Sequence, residues 1–141
     1  MRNDPNKKHF TLTHREMTRF VMTLEQSVDL IDYAIKNGKT GETIIPKPIS
    51  MRVIDMLEIF SEKYNKPIKK IPIRPGEKML ESLINETQSV RLKENGDYYH
   101  IVSIHDYTED IQIENMKDYN SKLNPLTKEE LKAYLTQYNL L

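Results

Sequence analysis

The sequence predicts an α+β fold of about four helices and several short strands in a chain of 141 residues. Three observations lead to this prediction. Long segments repeat apolar residues at helical spacing, and shorter segments alternate apolar and polar side chains as half-buried strands do. Proline and glycine separate the two kinds of segment. The pattern does not predict a self-contained doubly wound sheet, and no internal repeat is visible.

The first predicted elements are a strand and a helix. Residues 10–13 alternate apolar and polar side chains over a short strand. Thr23 then begins a helix, because its hydroxyl can cap the first turn and Gln26 follows at the capping-box spacing. The helix ends at Asn37-Gly38, where glycine suits the left-handed position after the last turn. The apolar face of this helix consists of Leu24, Val28, Ile31 and Ile35.

The middle of the chain predicts a second strand and a second helix. Residues 43–45 form a short apolar run that Pro46 ends. Ser50 is the predicted N-cap of a helix that extends to Tyr64. The apolar residues on one face of this helix are Val53, Leu57 and Phe60.

A further strand, turn and helix are predicted after it. Residues 68–73 alternate again and predict a strand. Pro75-Gly76 directly follows and predicts a turn, since these two residue types favour turns. Residues 77–84 then predict a short helix, in which the apolar residues are Met79, Leu80, Leu83 and Ile84.

The last third of the chain differs in character. Residues 90–92 and 98–104 predict strands joined around Asn95-Gly96, and residues 105–125 show no clear period. A final helix is predicted over residues 127–138, with a capping box formed by Thr127 and Glu130. We therefore divide the chain into three parts, which are a loose N-terminus (1–10), a main region (11–85) and a C-terminal extension (86–141).

Composition excludes several functional classes. The 21 basic and 21 acidic residues balance, whereas binding to nucleic acid or to an anionic membrane needs a basic excess. The absence of cysteine excludes disulfides, thiolate catalysis and cysteine zinc sites. No apolar run approaches the roughly 18 residues that span a bilayer, and the N-terminus lacks the apolar core of a secretory signal. We expect a cytoplasmic protein with no nucleic-acid or membrane partner.

Arg74 and Glu77 are the first candidates for a binding site. Arg74 directly follows a predicted strand, and a guanidinium can bind phosphate oxygens through two parallel hydrogen bonds. Glu77 can accept hydrogen bonds from two vicinal hydroxyls, as on a ribose. The pair therefore suits a nucleotide. The alternative is a surface turn in which Arg74 pairs with Glu77 or Glu81.

Arg19 is the second candidate, because it lies directly before the first capped helix and could reach another phosphate oxygen. The alternative for Arg19 is a structural ion pair with a nearby acid. Neither a metal site nor a set of catalytic residues is predicted. The histidines are spaced by five within each pair, which suits neither one helix face nor one strand face; they are His9, His14, His100 and His105.

Two cofactor and catalytic motifs are also missing from the sequence. The four glycines do not form a phosphate-binding loop of either common type. No tyrosine is followed four residues later by lysine, so the Tyr-x-x-x-Lys pair of short-chain dehydrogenases is absent. We therefore expect no cofactor to bind to this chain alone.

Several short segments nevertheless resemble one enzyme family, in the same order along the chain. They are Met17-Thr-Arg-Phe20, Leu24-Glu-Gln-Ser-Val28, Tyr33-Ala34, Asn37-Gly38, Gly41-Glu42 and Arg74-Pro-Gly-Glu-Lys78, with weaker matches at Tyr119-Asn-Ser121 and Leu126-Thr-Lys-Glu-Glu-Leu131. Together they resemble the C-terminal, substrate-binding part of UDP-N-acetylglucosamine 4,6-dehydratases. These enzymes are a branch of the extended short-chain dehydrogenase/reductases and serve polysaccharide biosynthesis.

The resemblance implies a fold, a substrate and a partner. It implies the substrate-binding subdomain of a Rossmann-fold lyase, without the Rossmann half that carries NAD(P) and the catalytic Tyr and Lys. Arg19 and Arg74 would hold the diphosphate of a UDP-sugar, and Glu77 would hold its ribose. Activity would need a separate cofactor-binding chain, or the chain could form a homo-oligomer. The alternatives are a non-catalytic nucleotide-sugar-binding or oligomerisation module and a truncated remnant.

Two departures from the family limit what carries over. His14-Arg15-Glu16 replaces the residues usual there, and residues 86–118 match poorly. In the family this part packs against the Rossmann half. The chain alone should therefore expose apolar surface unless a partner covers it.

Overall fold

The structure is a computed structural model that describes residues 8–141, apart from the side chain of Asn115. In chain order the elements are β1 (Phe10–Leu12), β2 (Thr18–Val21), α1 (Leu24–Asn37), β3 (Thr43–Pro46), β4 (Ile49–Arg52), α2 (Val53–Tyr64), β5 (Ile68–Lys70), β6 (Ser82–Ile84), α3 (Glu86–Ser89), β7 (Leu92–Asn95), β8 (Tyr98–Ile101), β9 (Tyr119–Asn120), β10 (Pro125–Leu126) and α4 (Lys128–Gln137). A 3-10 turn, Ile113–Asn115, lies between β8 and β9.

The described strands form small mixed sheets. β1 and β5 are parallel, β4 lies between parallel β10 and antiparallel β2, β8 lies between antiparallel β3 and β7, and β6 pairs antiparallel with β9. Helices alternate with these strands along the chain, so the fold is an α/β fold with mixed sheets. In three sheets, strands from residues 11–85 pair with strands from residues 86–141.

Helix α2 lies at the centre of the core. Ile54 and Leu57 pack against Leu12 of β1, with Leu57 fully buried. Ile59, further along the helix, packs with Leu131 of α4. Burying each such side chain stabilises the fold by about 1.5–3 kcal/mol. The helix therefore joins the β1–β5 sheet to the C-terminal helix.

The prediction that Ser50 caps α2 was wrong. Ser50 is a buried residue of β4, paired with Phe20 on one side and Pro125 on the other. The helix begins three residues later at Val53, and Arg52 makes no side-chain cap. Val53 N–H donates instead to the carbonyl oxygen of Met17 at 2.9 Å. A backbone contact from a distant segment thus satisfies the donor that a capping hydroxyl would have satisfied.

The predicted helix over residues 77–84 was also wrong. Residues 77–81 form a loop, and Ser82–Ile84 is strand β6, paired with β9. Ile84 is fully buried there. The strand predicted over residues 68–73 ends at Lys70. At Ser82–Ile84 pairing with the distant strand β9 decides the local conformation, which helical spacing of apolar residues cannot reveal.

The remaining local signals were mostly read correctly. Both predicted capping boxes are present, at Thr23 for α1 and at Thr127 for α4. The β7–β8 hairpin turns at Asn95-Gly96, with its first strand two residues later than predicted. Gly38 is not left-handed, since its φ is −74°. A Cβ at Gly38 would lie 2.6 Å from the carbonyl oxygen of Ala34, so close packing requires the glycine.

The apolar face predicted for α1 exists but is not buried. No residue of α1 is buried. Leu24, Val28, Ile31 and Ile35 are 58–81% exposed and form one stripe along the helix, called the α1 stripe below. An amphipathic helix normally turns this face to a core, so the described residues leave the α1 stripe without a partner. None of the described helices is both long and apolar enough to cross a membrane.

Candidate functional site

The three residues predicted from the sequence line one cleft. Arg19, Arg74 and Glu77 border a cavity of about 290 Å³, although Arg19 is more than fifty residues from the other two. Buried Leu12, Met17 and Met51 contribute its apolar wall. A concave, mostly apolar cleft with a few converging polar groups is the usual form of a small-molecule site.

Strand pairing explains how these segments meet. β1 and β5 are parallel and in register, with Phe10 opposite Ile68. The segments that follow them therefore leave the same edge of the sheet. Ile71 N–H donates to the carbonyl oxygen of Leu12 at 2.9 Å, which continues the pairing beyond the strands. Thr13 and the turn at Arg74 are thus brought to one side of the cleft.

The carboxylate of Glu77 is held by two protein donors. The hydroxyl of Thr13 donates to Oε1 at 3.1 Å, and the backbone N–H of Arg74 donates to Oε2 at 3.1 Å. Glu77 N–H donates in turn to the carbonyl oxygen of Arg74 at 3.0 Å, which closes the turn. Gly76 has φ +81° in this turn, a conformation that favours glycine. The half-buried carboxylate therefore has a defined orientation.

Arg19 holds the loop that forms one rim of the cleft. Its Nη1 donates to the carbonyl oxygen of Thr18 at 2.7 Å and its Nη2 to that of Lys78 at 2.8 Å. Its Nε lies 3.4 Å from Glu81 Oε1. The alternative prediction of an ion pair with an acid describes this last contact. A guanidinium has five N–H donors, so these three contacts leave Arg19 two for a ligand.

Arg74 differs from Arg19 in having a side chain without a partner. Its guanidinium is exposed and makes no hydrogen bond or ion pair with the part of the chain that the structure describes. The alternative prediction of a pair with the Glu77 or Glu81 carboxylate is not observed, because Arg74 contacts Glu77 through backbone atoms and not through its guanidinium. An unpaired guanidinium and an oriented carboxylate thus line the same cleft.

Sequence reasoning missed Thr13, the side chain that orients Glu77. It was read only as the end of a predicted strand. No local pattern points to a partner 64 residues away. The parallel pairing of β1 and β5 could have suggested the contact, but this pairing was not predicted either.

Two larger clefts are less suited to bind a nucleotide. One, of about 510 Å³, contains Arg52 and Asp55, but these pair with each other at 2.7 and 3.0 Å. The other, of about 430 Å³, lies beside α1 and contains Asp29, Asp97 and Tyr98. Neither combines a free guanidinium with an oriented carboxylate. Among the described residues, no group of three or more potential metal-binding side chains occurs.

His100 has a structural role. Its Nε2 lies 2.9 Å from the phenol oxygen of Tyr33, and its Nδ1 lies 3.2 Å from Glu42 Oε2. Burial alone would raise the pKa of the Glu42 carboxyl, but the backbone N–H of Lys39 and the His100 ring together hold this pKa below 4.5. These residues lie outside the cleft.

Comparison with known proteins gives a family match. The family model described as polysaccharide biosynthesis protein matches residues 3–103. An uncharacterized membrane protein of Methanocaldococcus jannaschii is 38% identical over 141 residues, covering 93% of this chain and 41% of that protein. The UDP-glucose 4-epimerase of Rickettsia canadensis is 38% identical over 98 residues, covering 67% of this chain and 28% of the enzyme.

A solved structure matches nearly the whole chain. The X-ray structure of Pen from Bacillus thuringiensis has a TM-score of 0.81 and 33% sequence identity, and the match covers 97% of this chain and 44% of that one. The chain thus spans less than half the length of each of these three proteins. The fold is shared with one part of Pen, which is the longer chain.

Proposed function

Because this chain belongs to the polysaccharide biosynthesis protein family, we propose that it is the UDP-sugar-binding part of a nucleotide-sugar-modifying enzyme. The chain is related to the nucleotide-sugar enzymes of polysaccharide biosynthesis through this family match and through the epimerase relative. The family match identifies neither the sugar nor the reaction, and both are proposed below from residues of the chain and from its relatives.

The proposal rests on the presence in one cleft of the unpaired Arg74 guanidinium and the oriented Glu77 carboxylate. A UDP-sugar presents a diphosphate and a ribose diol close together. Arg74 can donate two hydrogen bonds to the diphosphate, and each hydrogen bond to a charged group contributes about 1.5–3 kcal/mol. Glu77 accepts hydrogen bonds from the two ribose hydroxyls. Arg19 uses its two remaining N–H groups to bind the diphosphate, while its other contacts hold the loop at the rim.

The proposed reaction is that of a UDP-N-acetylglucosamine 4,6-dehydratase. Support comes from the resemblance of Met17-Thr-Arg-Phe20 and Arg74-Pro-Gly-Glu-Lys78 to that family. A 4-epimerase is the second candidate, because a UDP-glucose 4-epimerase is 38% identical over 98 residues of the alignment. Both candidates use the same diphosphate and ribose contacts and differ at the sugar.

The proposed cofactor, NAD(P), belongs to a separate Rossmann-fold chain that also supplies the catalytic Tyr and Lys. The α1 stripe supports a partner, since contiguous exposed apolar residues commonly mark protein interfaces. Glu25 and Asp29 lie on the same helix with no side-chain partner among the described residues, whereas Asp32 pairs with Lys36 at 2.6 Å. An aliphatic partner surface bordered by basic residues would match it. A homo-oligomer through the same stripe is the alternative.

Calorimetric titration of the chain with UDP-N-acetylglucosamine tests the proposal. We expect saturable binding, weakened more than tenfold in Arg74→Ala, since losing one charge-assisted hydrogen bond already exceeds the 1.4 kcal/mol per tenfold change. Arg15→Ala is the matched control, because Arg15 is an exposed arginine outside the cleft, 3.9 Å from Glu58.

Three outcomes separate the alternatives. An absence of binding, or equal binding by wild type and Arg74→Ala, would overturn the proposed site. Tighter binding of UDP-glucose than of UDP-N-acetylglucosamine would favour the epimerase candidate. Binding without turnover in the presence of a cofactor-binding chain and NAD(P) would favour a non-catalytic module.

A further inference from the structure

The orientation of the Glu77 carboxylate depends on Thr13, a residue that was not among the predicted site residues. Thr13 follows β1, whereas Glu77 lies in the turn that follows β5 and the short segment after it. The hydroxyl of Thr13 donates to Glu77 Oε1 at 3.1 Å, and both side chains are half-buried. Thr13 and Glu77 both line the cleft.

The two hydrogen bonds that the Glu77 carboxylate accepts determine which of its acceptor directions stay free. Each carboxylate oxygen has two lone-pair directions. Thr13 occupies one direction on Oε1, and the backbone N–H of Arg74 occupies one on Oε2. One acceptor direction therefore remains on each oxygen. Two adjacent hydroxyls, one for each oxygen, match this arrangement, whereas a single hydroxyl leaves one oxygen unused.

We propose that Thr13 is a positioning residue that makes the cleft selective for a vicinal diol, and hence for a ribonucleotide over its 2′-deoxy analogue. This inference rests on the proposed function, which places a UDP-sugar in the cleft. Without the Thr13 hydroxyl, Oε1 loses its only side-chain donor among the described residues. The carboxylate is then held only through Oε2 by the backbone N–H of Arg74 and can rotate about its last bond, so its two oxygens no longer have a fixed orientation toward a diol.

A purely structural role for Thr13 is the competing explanation. Its Oγ1 also lies 3.7 Å from the sulfur of buried Met17, so the hydroxyl contributes to packing at the base of the cleft. Loss of packing would weaken every ligand equally. Loss of positioning would weaken only ligands that carry both hydroxyls.

The test compares UDP with 2′-deoxy-UDP in calorimetric titrations of wild type, Thr13→Val and Thr13→Ser. Valine keeps the shape of threonine without its hydroxyl, and serine keeps the hydroxyl. We expect wild type to bind UDP roughly tenfold more tightly than 2′-deoxy-UDP, the size of one hydrogen bond to a charged group. In Thr13→Val the ratio should fall towards one with 2′-deoxy-UDP binding little changed, and Thr13→Ser should restore the ratio.

A second measurement follows the carboxylate without a ligand. The carboxyl ¹³C resonance of Glu77 should move in Thr13→Val and stay near its wild-type position in Thr13→Ser. An unchanged resonance in Thr13→Val would overturn the positioning role. Equal weakening of both nucleotides by Thr13→Val would also overturn it in favour of packing.

Failure of this inference differs from failure of the proposed function. If wild type binds neither nucleotide, the proposed function and the inference both fail. If wild type binds both equally and Arg74→Ala weakens both, the nucleotide site stands and only the selectivity assigned to Thr13 is wrong.

Discussion

Tyr33 and His100 join helix α1 to strand β8, with the phenol oxygen 2.9 Å from Nε2 of the ring. Asn95 Nδ2 also donates to the same phenol oxygen at 2.8 Å. The Tyr33 ring also stacks on Tyr98 with 3.9 Å between centroids. Since α1 buries none of its residues, these contacts on one side hold the helix while the α1 stripe stays open on the other.

Tyr33→Phe should lower the free energy of unfolding by about 1–3 kcal/mol, because it leaves the buried His100 Nε2 without its partner. Urea denaturation measures this change. Tyr138→Phe is the matched control, since the Tyr138 hydroxyl has no hydrogen-bond partner among the described residues. We expect the control to change stability by less than about 0.5 kcal/mol. Similar losses in both variants would contradict a specific role for the Tyr33 hydroxyl.

Glu42 should make the protein sensitive to acid. Its pKa in the folded protein lies below the ordinary value of 4.5. A lowered folded pKa stabilises the protein at pH values above 4.5, and this contribution disappears as the pH falls through the folded pKa. Unfolding in urea at a series of pH values should therefore show wild type more stable than Glu42→Gln near pH 7, with the difference shrinking below about pH 4.5.

The control for this pH series is Glu109→Gln. Glu109 is exposed and has no partner in the part of the chain that the structure describes. Its substitution should leave the pH dependence of stability unchanged. A constant stability difference between wild type and Glu42→Gln from pH 7 to pH 3 would contradict the role given to Glu42.

Arg19 and Arg74 should separate in their effects on stability. Arg19→Ala removes two hydrogen bonds to backbone carbonyls and the contact with Glu81, and should lower the free energy of unfolding by about 1–3 kcal/mol. Arg74→Ala removes no side-chain contact with the described protein and should change stability by less than about 0.5 kcal/mol. Thermal and urea unfolding check both values. The reverse order would contradict the assignment of Arg19 to the rim and Arg74 to the ligand.

The α1 stripe should control association. Ile31→Ser should leave the free energy of unfolding nearly unchanged, because Ile31 is already 59% exposed, but should reduce any association through the stripe. Ile111→Ser is the matched control, since Ile111 is 58% exposed and lies outside α1. Sedimentation velocity over a range of concentrations measures the association. An equal effect of both substitutions would show that the association is nonspecific hydrophobic contact and does not depend on the α1 stripe.

Local signals predicted those parts of the fold that local interactions stabilise. The capping boxes of α1 and α4 involve residues three positions apart, and the hairpin turn at Asn95-Gly96 involves neighbours. By contrast, Ser50 resembles a helix cap but lies in a strand, because β2 and β10 pair with β4 on both sides. Pairing with Phe20, 30 residues before Ser50, and with Pro125, 75 residues after it, overrides a capping preference worth about 1 kcal/mol.

The candidate site shows the same division. Arg74 and Glu77 were predicted because their chemistry and spacing suit a nucleotide, and Arg19 because it directly precedes a capped helix. Their roles as ligand contacts remain predictions. The close approach of all three in one cleft could not be read from spacing, because it depends on two long-range contacts. These are the parallel pairing of β1 with β5 and the hydrogen bonds from Thr18 and Arg19 to the carbonyl oxygens of Met79 and Lys78.

The sequence by itself determined the helix caps, the hairpin turn, the absence of common cofactor motifs and the residues that offer charge to a ligand. Each of these depends on residue type or on neighbours a few positions apart. Only the tertiary structure decided that Thr13 orients Glu77, that Arg19 is engaged while Arg74 is free, and that the α1 stripe is uncovered. Those outcomes depend on which distant strands pair, since a side chain's partners are set by the whole fold.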